Sequence, residues 1–372
     1  MSCKACQRWL RRPARLNTRF RLYDVKQTLL QHEPSKENFA LVYQKLRARP
    51  VKAQALPVID ISGLRSPELA DRETVGEALR AACADKGFLY VIGHGIPQNL
   101  REAVIRESVS FFELPAGEKS KIHLKLSACN RGYEPLQAQS LDANAPPDLK
   151  EGFYIGRHSM ADDPMVVAGK FGHGPNQWPD TLPNFQQVME VYYSKMVDLG
   201  RLMMRGIALS LGLAENHFAP FCQNEVATLR LLHYPPQPAN PDPGEMGCGA
   251  HTDFGTLTFL MQDTCGGLQV KDERDGWIHA EPLPESYVVN LGDLMARWTN
   301  DTYRSTLHRV VNMSGRERYS VPFFYMGNPD YPVRCISTCL EDGVTPTYPE
   351  TTVDKHFQEM YRATYSGSGL IT

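Results

Sequence analysis

No run of about eighteen apolar residues occurs in the 372-residue chain, so nothing in it is long and apolar enough to cross a bilayer as a helix. A basic excess is missing as well. The formal net charge is -2 and the pI about 6.6, which removes the field that draws proteins to phosphate backbones. An even disulfide framework is lacking too: nine cysteines are scattered through a chain too long to need staples, and no secretory hydrophobic segment opens it. These features predict a reducing compartment, the cytoplasm. Cys3 and Cys6 have the spacing of half a zinc knuckle, but no second pair lies nearby. Internal repeats and low-complexity tracts are absent. What remains, an apolar share of 42% and a charged share of 22%, is ordinary for a globular protein with a sizeable core. Nucleic acid and membrane are therefore not expected partners, and no protein partner is implied.

Acidic residues are missing before Asp24, while Arg8, Arg12, Arg15 and Arg19 share one helical face and Trp9, Leu16 and Phe20 another. This is the pattern of a mitochondrial presequence, although Pro13 interrupts the helix and a loose basic extension has the same composition. Residues 1–54 are read as this extension with a helical lead-in, and residues 55–372 as a single domain. Its first part, 55–220, mixes helices and strands. Leu56 to Asp60 and Phe88 to Ile92 read as strands, and Glu68 to Lys86, Gln98 to Leu114 and Asn184 to Leu213 as helices. The last carries Phe185, Val188, Met189, Tyr192, Leu199 and Met203 on one face, a packing stripe expected to back a sheet. Residues 221–345 change texture to short strand-like runs separated by turns: Leu229 to Tyr234, Thr256 to Met261, Leu268 to Val270, Tyr287 to Leu291, Thr306 to Val311 and Tyr319 to Tyr325. Such spacing predicts a barrel or sandwich. A helix from Thr352 to Tyr365 and a tail complete residues 346–372.

His251-Thr252-Asp253 is read as standing where the chain enters a strand, so that alternation brings the imidazole and the carboxylate to one side. His308, in a second strand-like run, closes the set from across a barrel. Two imidazoles and one carboxylate on one face of a metal leave adjacent positions open, which is the ligand set of non-haem Fe(II) oxygenases. The same three ligands with an open position could instead hold zinc and water in a hydrolase or a binding protein. Ten residues after His308, Arg318-Tyr319-Ser320 places a guanidinium and a hydroxyl on one side of a third strand. The planar fork of Arg pairs both oxygens of a carboxylate and Ser adds a donor. Alternation puts Tyr234 with Arg230 and Leu232, offers its hydroxyl as a further donor, and sends His233 the other way. A lone His-x-Asp or Arg-x-Ser is usually a satisfied surface or core group; here the pieces occur in order in the strand-rich half.

With these residues in view, the chain resembles the iron(II) and 2-oxoglutarate-dependent oxygenase superfamily, in the branch typified by isopenicillin N synthase. The resemblance runs from Leu56-Pro57-Val58-Ile59-Asp60 through Gly87 to Pro97, Asn290-Leu291-Gly292-Asp293 and Ser305 to Val310, and on to Arg318-Tyr319-Ser320. It implies a mainly β fold with flanking helices, built on a distorted double-stranded β-helix or jelly roll. It also implies that His251, Asp253 and His308 hold Fe(II) and that Arg318, Ser320 and Tyr234 hold 2-oxoglutarate. Dioxygen would be the oxidant, with ascorbate as a supporting reductant. The implied reaction decarboxylates 2-oxoglutarate to succinate while a small organic substrate is hydroxylated or desaturated. An oxidase without 2-oxoglutarate, as in isopenicillin N synthase itself, and a non-catalytic small-molecule binder are the alternatives on this fold. Where plant relatives often carry Asn, this chain has Leu232. His94 belongs to a turn of the family that reads as structural. Lys150 to Gly156 resembles a segment of microbial and fungal members that forms pocket wall and lid, which nominates Phe153, Tyr154 and Phe324 as substrate-side residues.

Overall fold

The computed structural model describes residues 56–141, 146–170, 172–237, 244–341 and 343–365. Every described residue belongs to one compact unit, which lies within Gln44–Thr372. The arginine stripe and the Cys3 and Cys6 pair lie outside the described residues.

Twelve strands build the core: β1 (Val58–Asp60), β2 (Phe88–Ile92), β3 (Gly132–Glu134), β4 (Glu151–Gly156), β5 (Val226–Tyr234), β6 (Cys248–His251), β7 (Leu257–Gln262), β8 (Leu268–Asp272), β9 (Gly276–His279), β10 (Tyr287–Leu291), β11 (His308–Val310) and β12 (Arg318–Gly327). Most are rich in β-branched and aromatic residues, as in Tyr287-Val288-Val289, which suit a pleated and half-buried surface. They form an eight-stranded sheet in the order β1-β2-β10-β7-β12-β5-β4-β3 and a four-stranded sheet in the order β6-β11-β8-β9. Phe88, Tyr90, Leu232, Tyr234 and Val288 of the larger sheet pack in one buried cluster with Cys248, Leu268, Val270, Ile278 and Val310 of the smaller. The two sheets therefore close on each other, which is the jelly-roll arrangement.

The other face of the large sheet is covered by helices α1 (Leu69–Asp85), α2 (Gln98–Phe112) and α3 (Phe185–Ser210). The stripe on α3 does what its spacing predicts: Phe185, Met189, Tyr192, Leu199 and Met203 are buried in the helix-side core, with Val188 packed at its edge. The Tyr192 hydroxyl lies 3.0 Å from that of Tyr287 on β10. Gly200 lets the helix approach closely, because a Cβ there would stand 2.5 Å from the Tyr325 ring of β12. The contact offsets the cost of a helical glycine, about 0.5–1 kcal/mol relative to Ala.

Both faces of the large sheet are thus buried, which explains where strand assignment from sequence falls short. β4 is a strand although it holds Gly152 and Gly156, residues with poor strand propensity. Pairing with β5 from Glu151↔His233 to Gly156↔Thr228 supplies the order that local sequence does not. β6 ends at His251 instead of starting there, so Asp253 sits in the turn that follows and not on the same strand. β3, β9 and a short helix α4 (Asp293–Trp298) are further elements not legible in the sequence.

Candidate active site

His251 and His308 are cross-strand partners at the β6–β11 pairing. Their ring centroids are 4.3 Å apart, and Asp253 Oδ1 lies 3.8 Å from His251 Nε2 and 3.7 Å from His308 Nε2. The three ligating atoms fall within 4.8 Å of one another. Each ring is oriented by a carbonyl, which can only accept: His251 Nδ1 donates to Gly249 O at 2.8 Å and His308 Nδ1 to Thr306 O at 3.1 Å. That fixes the tautomer and leaves both Nε2 lone pairs facing Asp253.

Asp253 is positioned by residues that the motif does not contain. Its Oδ2 accepts from Thr258 Oγ1 at 2.6 Å and from Asn290 Nδ2 at 2.7 Å, so Oδ1 is the oxygen left for a metal. The turn that carries it is tied down by Asp293, whose backbone N–H donates to Asp253 O at 2.7 Å and whose carboxylate accepts from Thr252 Oγ1 at 3.0 Å. Gly292 is required for that approach, since a Cβ there would lie 2.4 Å from Gly255 O and 2.5 Å from Asp253 O. Burial pushes the Asp253 carboxyl up, but the two imidazoles and the two donors outweigh it and leave it below the usual carboxylate range. Burial lowers both imidazoles, His308 to about 4. Neutral imidazoles and an ionised carboxylate are the states in which these groups bind a divalent cation.

This donor set fits Fe(II). Cys248 does not turn it into a thiolate site, because its Sγ is 3.8 Å from His251 on the Nδ1 side and 3.3 Å from Lys150 Nζ, and burial pushes the thiol up to about 12. As outer partners typically command 10- to 100-fold in metal affinity, Asn290→Ala is expected to weaken Fe(II) binding by about that factor. A chelator titration of the loaded protein checks this, and unchanged affinity would show that Thr258 alone holds the carboxylate.

Arg318 and Tyr234 are paired across β12 and β5, as are Ser320 and Leu232. The Arg318 side chain is fully buried and bonds only neutral groups: Nε to Gly266 O at 2.5 Å, Nη1 to Ser320 Oγ at 3.2 Å and Nη2 to Gln262 Oε1 at 3.1 Å. Its Cζ stands 4.7 Å from the Tyr234 ring centroid. No carboxylate lies within ion-pair distance of it among the described residues, so a buried guanidinium inside the barrel lacks a counter-ion. Leu232 puts an apolar side chain beside this group.

Above the metal residues opens a cavity of about 170 Å³ lined by His251 and Asp253 among others. Tyr154 and Phe324 line it, whereas Arg318, Ser320 and Tyr234 do not. Phe153 corrects the sequence reading. It pairs with Leu231 on the helix side of the sheet, fully buried, with its ring centroid 4.6 Å from that of Phe111 and 5.5 Å from that of Phe185. Phe153→Ala is therefore expected to cost about 3–5 kcal/mol of stability with little effect on substrate KM, while Tyr154→Ala should do the reverse. Urea unfolding and steady-state kinetics of the two variants separate these effects. His233 also points outward, between Glu151 at 2.8 Å and Glu317 at 2.7 Å, and His94 caps its own turn through the Ile96 N–H at 3.0 Å. Residues that sequence reasoning missed include Thr258, Arg131, Glu134 and, from the C-terminal helix α5 (Val353–Tyr365), Phe357 and Tyr361.

Comparison with known proteins gives the same family. Residues 56–181 match the model described as non-haem dioxygenase in morphine synthesis N-terminal, and residues 225–327 match the 2OG-Fe(II) oxygenase superfamily. The chain is 43% identical over 316 residues to the 2-oxoglutarate-Fe(II) type oxidoreductase hxnY of Emericella nidulans, covering 84% of this chain and 90% of that protein. It is 40% identical to the 2-oxoglutarate-dependent dioxygenase citB of Monascus ruber, over 84% of this chain and 96% of the relative. The solved structure of a full-length Neurospora crassa protein in complex with alpha-KG and thymine superposes with a TM-score of 0.74 at 31% identity, covering 85% of this chain and 99% of that one. With the two imidazoles and the carboxylate assembled on a jelly roll, the chain belongs to the 2OG-Fe(II) oxygenase superfamily and is a 2-oxoglutarate-dependent dioxygenase.

Proposed function

We propose that His251 Nε2, Asp253 Oδ1 and His308 Nε2 hold Fe(II), that Arg318 and Ser320 hold the distal carboxylate of 2-oxoglutarate while Tyr234 contacts its other end, and that a small organic substrate is oxidised in the cavity lined by Tyr154 and Phe324. The observation that carries this assignment is the buried Arg318 with only neutral partners, in the same barrel as the triad. A guanidinium in that state is costly unless an anion completes it, and this favours a 2-oxoglutarate enzyme over an oxidase that needs none. Bound Fe(II) would supply the activation of dioxygen that couples decarboxylation of 2-oxoglutarate to hydroxylation or desaturation of the substrate.

The chain's own groups prepare that chemistry. The carbonyls of Gly249 and Thr306 hold the imidazoles in register, Thr258 and Asn290 aim one carboxylate oxygen, and the aromatic walls exclude water from the reacting centre. Residues 55–372 act as a single oxygenase unit in this reading, since β1 to β4 share one sheet with β5, β7, β10 and β12. The seven cysteines among the described residues are all free, which supports the cytoplasm. The arginine stripe keeps the mitochondrial alternative, and a C-terminal fluorescent fusion decides between them. No helix among the described residues is long and apolar enough to cross a membrane.

The test is succinate formation from 2-oxoglutarate by the purified protein with Fe(II), ascorbate and air, against an anaerobic control. Oxygen-dependent succinate is expected, and omitting ascorbate should shorten the active period. Substrate consumption in 2-oxoglutarate-free buffer without succinate would overturn the clamp assignment.

A further inference from the structure

The wall of the substrate cavity holds a buried guanidinium with unused donors. Arg131, just before β3, is 2% exposed. Its Nη1 donates to Cys129 O at 2.8 Å and Asn130 O at 3.2 Å, and Nη2 donates once, to Gly172 O at 2.6 Å. Nε is buried with no hydrogen-bond partner. Of the five N–H groups of a guanidinium, the two left over are on Nε and Nη2, neighbouring atoms of the fork. The group lies flat against Gly156 of β4, where a Cβ would come within 1.9 Å of Nη2. Gly156 pairs with Thr228, and that pair is on the cavity side of the sheet.

Charge in the cavity wall does not balance. Arg131 has no carboxylate within ion-pair distance among the described residues. Glu134, the nearby acid of the wall, is engaged elsewhere: its Oε2 accepts from Arg230 Nη2 at 2.8 Å and from the Tyr154 hydroxyl at 3.1 Å. The Arg230 Cζ stacks 4.2 Å from the Tyr154 ring centroid, so Glu134 is committed to this group and not to Arg131. Arg318 lies outside the cavity lining, hence the cosubstrate that the reading above assigns to Arg318 does not neutralise Arg131.

We propose that Arg131 receives an anionic group of the substrate through Nε and Nη2, and that the substrate is a small monocyclic carboxylate. A single ring fits the cavity of about 170 Å³, as the approximately 150 Å³ that accommodates benzene shows. The ring follows from the aromatic wall, since Tyr154, Phe324, Phe254 and Tyr361 line the same cavity as His251 and Asp253. A carboxylate is the group of that size that pairs two parallel N–H donors.

The inference rests on the 2-oxoglutarate reading, and its test separates the two. Protein loaded with Mn(II) as an inert stand-in for Fe(II) is titrated first with 2-oxoglutarate and then with a panel of monocyclic carboxylates, benzoate and cyclohexanecarboxylate among them, each beside its neutral carboxamide. The acids are expected to bind about ten- to a hundredfold tighter than their amides, the range of a hydrogen-bonded charge. Arg131→Gln should erase that preference and Arg131→Lys retain part of it, with 2-oxoglutarate affinity unchanged in both. Amides binding as well as acids in the wild-type protein, or no member of either series binding, would overturn the proposal without recourse to a variant. An acid preference that persists in a folded Arg131→Gln protein would overturn it too. Failure of 2-oxoglutarate to bind in the first titration would refute the underlying reading instead.

Discussion

Replacing Asp253 with alanine is expected to give a folded protein that retains no Fe(II) after desalting and forms succinate only at the chelator-treated background. The magnitude follows from the geometry. Asp253 Oδ1 is within 3.8 Å of both imidazole Nε2 atoms and is the only carboxylate of the ligand set found among the described residues. Removing it leaves two neutral imidazoles, so the loss must exceed the 10- to 100-fold associated with outer hydrogen-bond partners. The substitution also strands the Thr258 hydroxyl and the Asn290 amide in a buried place, at a cost of about 1–3 kcal/mol each where no water replaces the carboxylate. Metal analysis, succinate assay and circular dichroism on one preparation read all three consequences. Succinate well above background in the metal-stripped variant would remove Asp253 from the centre of the reaction.

The second large effect concerns Arg318. Truncating one partner of a buried hydrogen-bonded charge pair costs about 2–5 kcal/mol, which is a rise of about thirty- to several-thousand-fold in the Kd for 2-oxoglutarate. Arg318→Ala should therefore demand far more cosubstrate, while Fe(II) affinity, set by other residues, stays put. Arg318→Lys should fall between, because it keeps the charge and loses the fork. Folding stability need not fall in proportion, since the alanine variant also removes an uncompensated buried cation along with its bonds to Gly266, Gln262 and Ser320. Titration with 2-oxoglutarate under anaerobic conditions reads the effect directly. An unchanged Kd would place the distal carboxylate elsewhere in the barrel.

Much of this chemistry was legible in the chain itself. The period of the α3 stripe and the strand-like runs after Leu229 needed no coordinates, because element type follows from local periodicity, and the order His251, Asp253, His308, Arg318 is read directly from the chain. Alternation also separated Tyr234 from His233 correctly. It could not separate Phe153 from Tyr154. A strand with one wet face announces its buried side by polarity, but both faces of the large sheet are covered, one by helices and one by the second sheet, so an aromatic pair fits either way.

The local sequence by itself determined which side chains could bind a metal or pair with a carboxylate, since those capacities belong to the residue types, whereas the fold decided that Asp253 meets the histidines from the turn after β6. Tertiary structure alone decided which groups complete those side chains: Thr258 and Asn290 on Asp253, five and thirty-seven positions away, and Glu134 on Arg230 at a separation of ninety-six. It also decided that Arg131 is left with two donors and no acid. Burial, charge balance and the solvation cost of an unpaired group are properties of the packed interior, and no window of neighbouring residues contains them.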